Sequence, residues 1–190
     1  MSLDTKELTK HIKNPRIREM VDGLIKHHAG VKTFSKKTSS TGKYHPDVSN
    51  VPDRGIYNHT MLVVYAAQRL IYFYQQKGLL KGDMDSCIIS ACILHDMWKY
   101  ETMNGTIAPY STKDHGLVGY NSIRKWEVPK DLKAARDVIA EMVRFHMSAW
   151  CSPVSEKKLA NENKDLGVLI VQLADMIASC KELINFGKEA

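Results

Sequence analysis

The four cysteines of this chain, Cys87, Cys92, Cys151 and Cys180, include no Cys-x-x-Cys pair. That spacing supports neither a zinc knuckle nor a disulfide framework, and the mostly apolar, helical surroundings point to reduced core thiols. No apolar stretch approaches the ~20 residues needed to span a bilayer. The first residues, from Met1 to Glu7, lack the apolar centre of a signal peptide, so the expected location is the cytoplasm, without membrane partners. Repeats, low-complexity tracts and a convincing strand alternation are also missing, which leaves an all-α reading. Acidic side chains are in the minority, 21 Asp and Glu against 27 Lys and Arg, for a formal net charge of +6. A field of that sign favours anionic partners without separating a nucleotide from a nucleic acid.

At 190 residues, 44% hydrophobic and 25% charged, the composition is that of one globular domain with a sizeable core. Pro15 suits the first turn of a helix through Ile17, Met20, Val21, Leu24 and Ile25, with Gly30 to end it. Residues 32–55 are polar, contain Gly42, Pro46, Pro52 and Gly55, and read as a long loop. From His59 the positions Leu62, Val63, Ala66, Ala67, Leu70, Ile71 and Tyr74 make a helical stripe closed by Gly78. Asp83 is the expected cap of a helix over 87–95. A turn-rich excursion over 105–112 precedes a short helix over 115–126, and Pro129 starts another that ends near His146. Residues 148–164 read as a second loop, and Asp165 precedes a last helix that carries Asp175 in its interior.

Along these helices lie His59, His95, Asp96, His115, His146 and Asp175. A lone histidine beside an apolar stretch is usually a hydrogen-bonded core or surface residue. Six candidate ligands in five segments ask for a common explanation. His95 and Asp96 end the apolar run 88–94, where ionisable groups are costly to bury unless paired or coordinated. Asp175 repeats the situation as the only acid on the apolar face of 166–178. One or two divalent ions account for both, and imidazole with carboxylate suits Fe, Mn, Zn, Co or Ni.

The order His…His-Asp…His…His…Asp, with Lys99 three residues after Asp96, resembles the HD-domain superfamily of metal-dependent phosphohydrolases over about residues 43–178. The resemblance implies an all-helical HD domain with a buried metal centre, with residues 1–55 as an N-terminal helix and polar loop in front. It implies His59, His95, Asp96 and Asp175 as ligands of a first ion. Asp96 has two oxygens, so with His115 and His146 it can also hold a second; if either histidine is an outer donor instead, the centre is mononuclear. A cation neutralises a nonbridging phosphate oxygen and brings the pKa of its water toward neutrality, which makes a metal-activated hydroxide the implied nucleophile. Lys99 alone would pass for a surface lysine. Under the resemblance it joins Asp96 in catalysis and contacts the scissile phosphate as charge develops.

Departures from better-known branches narrow the substrate. The glutamate expected near Lys99 in the deoxynucleotidase-like branch is missing, as are the His-Pro-Pro-Phe stretch of deoxynucleoside triphosphohydrolases and the Glu-Asp pair of guanosine tetraphosphate hydrolases. Met-Ser-Ala-Trp follows His146 where cyclic-diguanylate phosphodiesterases carry Gly-Tyr-Pro. What remains is similar to the HD domain of certain exoribonucleases and to small phage-type HD proteins with Lys-Tyr-His-Pro ahead of the first ligand, here residues 43–46. Lys43 and His45 are therefore candidates for phosphate contacts, although a solvated loop explains them equally. Trp150 can stack on a base, while core packing is the commoner fate of a tryptophan. Lys36, Lys37, Lys43 and Arg54 can guide a polyanion, or simply be solvated; His11, His27 and His28 read as surface residues. The expected activity is phosphodiesterase-like cleavage of a phosphoester in a nucleotide or short nucleic acid. The alternatives are a nucleoside mono- or triphosphate phosphohydrolase acting on a phosphorylated small molecule, and a catalytically inactive nucleotide-binding module. A homo-oligomer is compatible with all three.

Overall fold

A computed structural model describes residues 5–28, 33–36, 38, 45, 53–147 and 154–180. Its helices are α1 (Lys6–Thr9), α2 (Pro15–His27), α3 (Gly55–Gln76), α4 (Met84–Leu94), α5 (His115–Lys125), α6 (Lys133–Phe145), α7 (Val154–Glu162) and α8 (Leu166–Ser179), with a 3-10 turn at Lys130–Leu132. Among the described residues the only extended pairing is one bridge between Glu101 and Ile107, so the all-α expectation holds. No described helix is long and apolar enough to cross a membrane.

Helix α4 is the hub because it has no polar face to offer water. Every residue from Ser86 to Leu94 is buried, and a helix apolar all round belongs in the middle of a protein. Helices α1, α2, α3, α6 and α8 pack around it, while α3 lies along α8 and α5 along α6. The last contact is unusually close for a chemical reason. A Cβ at Gly116 would stand 2.7 Å from the Arg144 carbonyl oxygen, and one at Gly119 would stand 2.8 Å from the Trp98 ring. Glycine at 116 lets the α5 backbone meet that of α6, and glycine one turn later, at 119, makes room for the Trp98 ring and the Val143 side chain.

Several boundaries follow the sequence signals. Pro15 opens α2 behind Asn14, whose Oδ1 accepts from the amides of Arg16 and Ile17 at 2.9 and 3.2 Å. Gly78 stops α3 at φ 68°, a conformation that suits glycine. Others differ. His59 does not open its helix; α3 begins at Gly55 and His59 sits one turn inside. Asp83 occupies the cap position of α4 without a side-chain cap bond, and Asp85 accepts from the Ser86 amide at 2.6 Å instead. The loop expected over 148–164 contains α7, anchored by buried Ala160 and by two Arg144–Glu156 hydrogen bonds of 2.7 and 2.8 Å. His11 and His28 are half-buried rather than superficial: His11 accepts its place beside Gln68 and Tyr65, and His28 pairs with Glu101 at 2.8 Å. Gly30 and most of the loop over 32–55 lie outside the described residues.

Candidate metal centre

The hub helix delivers the centre. Beyond Leu94 the chain makes successive tight turns, with the Met97, Lys99 and Glu101 amides bonded to the carbonyls of Leu94, Asp96 and Trp98 at 2.8 to 3.1 Å. Met97 and Trp98 stay in the core, Asp96 and Lys99 line one cleft, and His95 lies buried behind it with Nε2 toward Asp96. Helix α3 contributes His59 from one side and α8 contributes Asp175. Helix α5 contributes His115 from its first residue, and His146 follows the end of α6.

These side chains form two groups that share Asp96. On the first side, Asp96 Oδ2 stands 3.5 Å from His95 Nε2 and 3.8 Å from His59 Nε2, and His59 Nε2 is 2.9 Å from Asp175 Oδ1. On the second, Asp96 Oδ1 stands 3.2 Å from His115 Nε2 and 3.8 Å from His146 Nε2. His59, His95, Asp96, His115 and His146 are all buried, whereas the Asp175 side chain is 23% exposed at the cleft.

Three imidazoles are oriented alike. The Nδ1–H groups of His95, His115 and His146 donate to the carbonyls of Cys92, Thr112 and Val143 at 2.7, 2.5 and 2.7 Å. In each case the acceptor lies three residues earlier. The bond fixes the tautomer and leaves Nε2 as a lone pair pointing inward, the usual arrangement of ligand histidines. His59 differs, because its Nδ1 is buried without a hydrogen-bond partner. Thr112 is itself held by its amide on the Lys99 carbonyl, 2.8 Å, and its hydroxyl on the Glu101 carbonyl, 3.0 Å.

The electrostatics match a cation site. Burial pushes the His146 imidazole down to about 3, and His115 and His95 beside it push the same way. Burial likewise lowers His95 against the pull of Asp96 and Asp175. For Asp96, burial would raise the carboxyl, but Lys99 and the neighbouring histidines hold it well below the carboxylate range. Asp175 is lowered too, against burial, by its hydrogen bond with His59 and by His95. The centre therefore presents neutral imidazoles at His95 and His146 and two ionised carboxylates.

That donor set fits divalent transition metals. Nε2 of His59 and His95 lie 3.3 Å apart, and those of His115 and His146 3.1 Å apart. Each pair turns its two Nε2 atoms toward one point, where a shared cation would coordinate both. Nitrogens bound tetrahedrally at about 2.0–2.1 Å stand about 3.4 Å apart, close to both spacings.

Lys99 is not a surface lysine. Its side chain is 13% exposed and its ammonium donates to Asp96 Oδ2 at 2.5 Å. Burial works against that charge, but Asp96 more than offsets it and raises the Lys99 pKa. His45 lines the same cleft of about 260 Å³, its ring edge-on to His59 with centroids 4.9 Å apart. Burial, then His59 and Lys99, lower it to about 4. The structure thus brings together the six candidate ligands, Lys99 and His45; Lys43 and Trp150 lie outside the described residues. Sequence reasoning missed the cleft-lining Ser111, Thr112, Lys113, Gln172 and Ser179. Single polar residues in loops, at a helix end or, for Gln172, inside a helix carry no periodic signal that singles them out.

No curated protein and no solved structure matches the chain. The family model described as HD domain matches residues 56–179, well over half of the sequence and inclusive of all six candidate ligands. The chain belongs to the HD domain family, in general a family of metal-dependent phosphohydrolases.

Proposed function

We propose that this chain hydrolyses a phosphoester of a nucleotide or short nucleic acid, in the manner of a phosphodiesterase, with two divalent ions drawn from Fe, Mn, Zn, Co or Ni. The observation that carries the reading is the division of Asp96, whose Oδ2 faces His59 and His95 while Oδ1 faces His115 and His146. His59, His95, Asp96 and Asp175 would hold the first ion; Asp96, His115 and His146 would hold the second. When bound, such ions act as Lewis acids on phosphate oxygens and supply an activated water.

The chain's own groups do the rest. The carbonyls of Cys92, Thr112 and Val143 keep three imidazoles turned inward. Asp96 remains ionised because Lys99 and the histidines oppose its burial. Lys99, charged and fixed beside that carboxylate, is the donor we assign to the phosphoryl oxygen that gains charge in the transition state. His45 on the wall beside His59, with Lys43 and Trp150, is assigned to substrate binding. We read the 190 residues as one domain in which residues 1–55 stand in front of the core.

Metal analysis of the purified protein, followed by a panel of nucleotides, nucleoside triphosphates and short RNA, tests the proposal. Two ions per chain and release of a nucleotide from a diester are expected. Release of phosphate or pyrophosphate would establish the monophosphate or triphosphate alternative. Full metal loading with no turnover on any member, but with nucleotide bound, would establish an inactive binding module.

A further inference from the structure

The side chains of the centre come from two sets of elements. Helices α3 and α8 carry His59 and Asp175, and α5 and α6 carry His115 and His146. Asp96 joins the two sets chemically. One more side chain joins them mechanically. Gln172, one turn before Asp175 on α8, donates from Nε2 to the Phe145 carbonyl at 2.8 Å. Phe145 is the last residue of α6 and immediately precedes His146.

The acceptor matters. The last carbonyls of a helix have no partner within it, and the final turn of α6 uses two of them at the centre. The Val143 carbonyl takes the His146 Nδ1–H, and the Phe145 carbonyl takes Gln172. Both bonds act on the turn that aims His146. Asp175 and Gln172 are three residues apart and line the same cleft, so α8 reaches the first group through one and the second group through the other. Gln172 sits half-buried, and its bond closes over a helix end that water would otherwise compete for.

We infer that Gln172 is a positioning residue that sets the register of the second metal group, His115 and His146, against the first. The inference rests on the two-ion reading proposed above. Gln172 is not a ligand in that reading; it acts through the α6 terminus and His146. Loss of such an outer partner typically weakens metal affinity 10- to 100-fold. The loss should fall on the second ion, because the hydrogen bonds that hold His59, His95 and Asp175 run to one another and to the Cys92 carbonyl and not to the α6 terminus.

The test is a Mn²⁺ titration of the full chain, read by calorimetry and by the electron paramagnetic resonance of free Mn²⁺. The variant Gln172→Met keeps the length and apolar stem and removes the donor. Two ions in the wild type, with one site of Gln172→Met lowered at least tenfold and the other unchanged within about twofold, is the expected result. Equal weakening of both sites would indicate a general structural role and overturn the inference. Two unchanged sites would overturn it while leaving the two-ion reading intact. A single site in the wild type would overturn both. If Gln172→Met aggregates, Gln172→Asn, which keeps the amide but falls one methylene short of Phe145, must show the same selective loss.

Discussion

The close approach of α5 and α6 offers a way to perturb the centre without touching a ligand. In Gly116→Ala the new methyl would stand 2.7 Å from the Arg144 carbonyl oxygen and 3.1 Å from that of Val143. Ordinary contact begins at 3.4 Å, so the nearer atom is about 0.7 Å too close. Both obstacles are backbone and cannot rotate away. The helices must part, and His115, the neighbouring residue, moves with α5. Metal–ligand distances in a sound site stay within about 0.2 Å of their usual values, several-fold less than the required shift. Overpacking of this kind costs about 1–3 kcal/mol, and at roughly 2–4 °C per kcal/mol for a chain this long the melting temperature should fall by several degrees. The expected outcome in a Mn²⁺ titration is loss of the His115–His146 ion with the His59–His95 ion retained. Thermal melts of the metal-free protein give the stability cost separately. A Gly116→Ala protein with wild-type melting temperature and two tightly bound ions would refute the packing argument.

Two further substitutions test the chemistry. Asp96→Ala should strip both ions and abolish hydrolysis together, since one carboxylate serves both groups; it also leaves the Lys99 ammonium without its partner, a change worth about 3–5 kcal/mol for a buried pair. Full metal content and activity in that variant, measured on protein shown by circular dichroism to be folded, would sink the assignment. Lys99→Met should keep metal and fold yet lower kcat by roughly 10² to 10³, the usual cost of one transition-state donor. Near-normal turnover would reject a catalytic role for Lys99 without touching the metal site.

Most of the centre was legible in the sequence because ionisable residues stand out against apolar runs. His95 and Asp96 end a helix that is buried on all sides, and Asp175 interrupts an apolar helix. Helix ends were readable where the backbone requires a particular residue, as at Pro15 and Gly78. Helix α7 was not, since residues 154–162 are mainly polar and the segment is held by Arg144, twelve residues before its partner Glu156. The orientation of the imidazoles lay between these cases. His95 and His146 each follow a helix and reach back three residues to a carbonyl that the helix leaves unpaired. His59 sits inside α3, where the ladder occupies the carbonyls, and its Nδ1 has no such partner. The sequence carries those positions, but the consequence appears only once helix ends are known. Gln172 was invisible for a stronger reason: its partner, the Phe145 carbonyl, is identical at every residue of every chain.

The balance of charge at the centre also sets an order of events. Asp96 and Asp175 are ionised and Lys99 is protonated. Those two carboxylates and one ammonium leave one net negative charge between them, in a pocket where burial magnifies it. Such a pocket attracts cations and repels phosphate, so the +6 of the whole chain does not by itself prepare this cleft for an anion. Two divalent ions would reverse the local sign, and only then would a phosphate find an attractive field. Chelator-treated protein should therefore lose inorganic phosphate binding by at least tenfold relative to Mn²⁺-loaded protein, measured by calorimetry at fixed ionic strength. Equal phosphate affinity with and without metal would show that Lys99 and the cleft wall suffice, and the metal-first order would have to be abandoned.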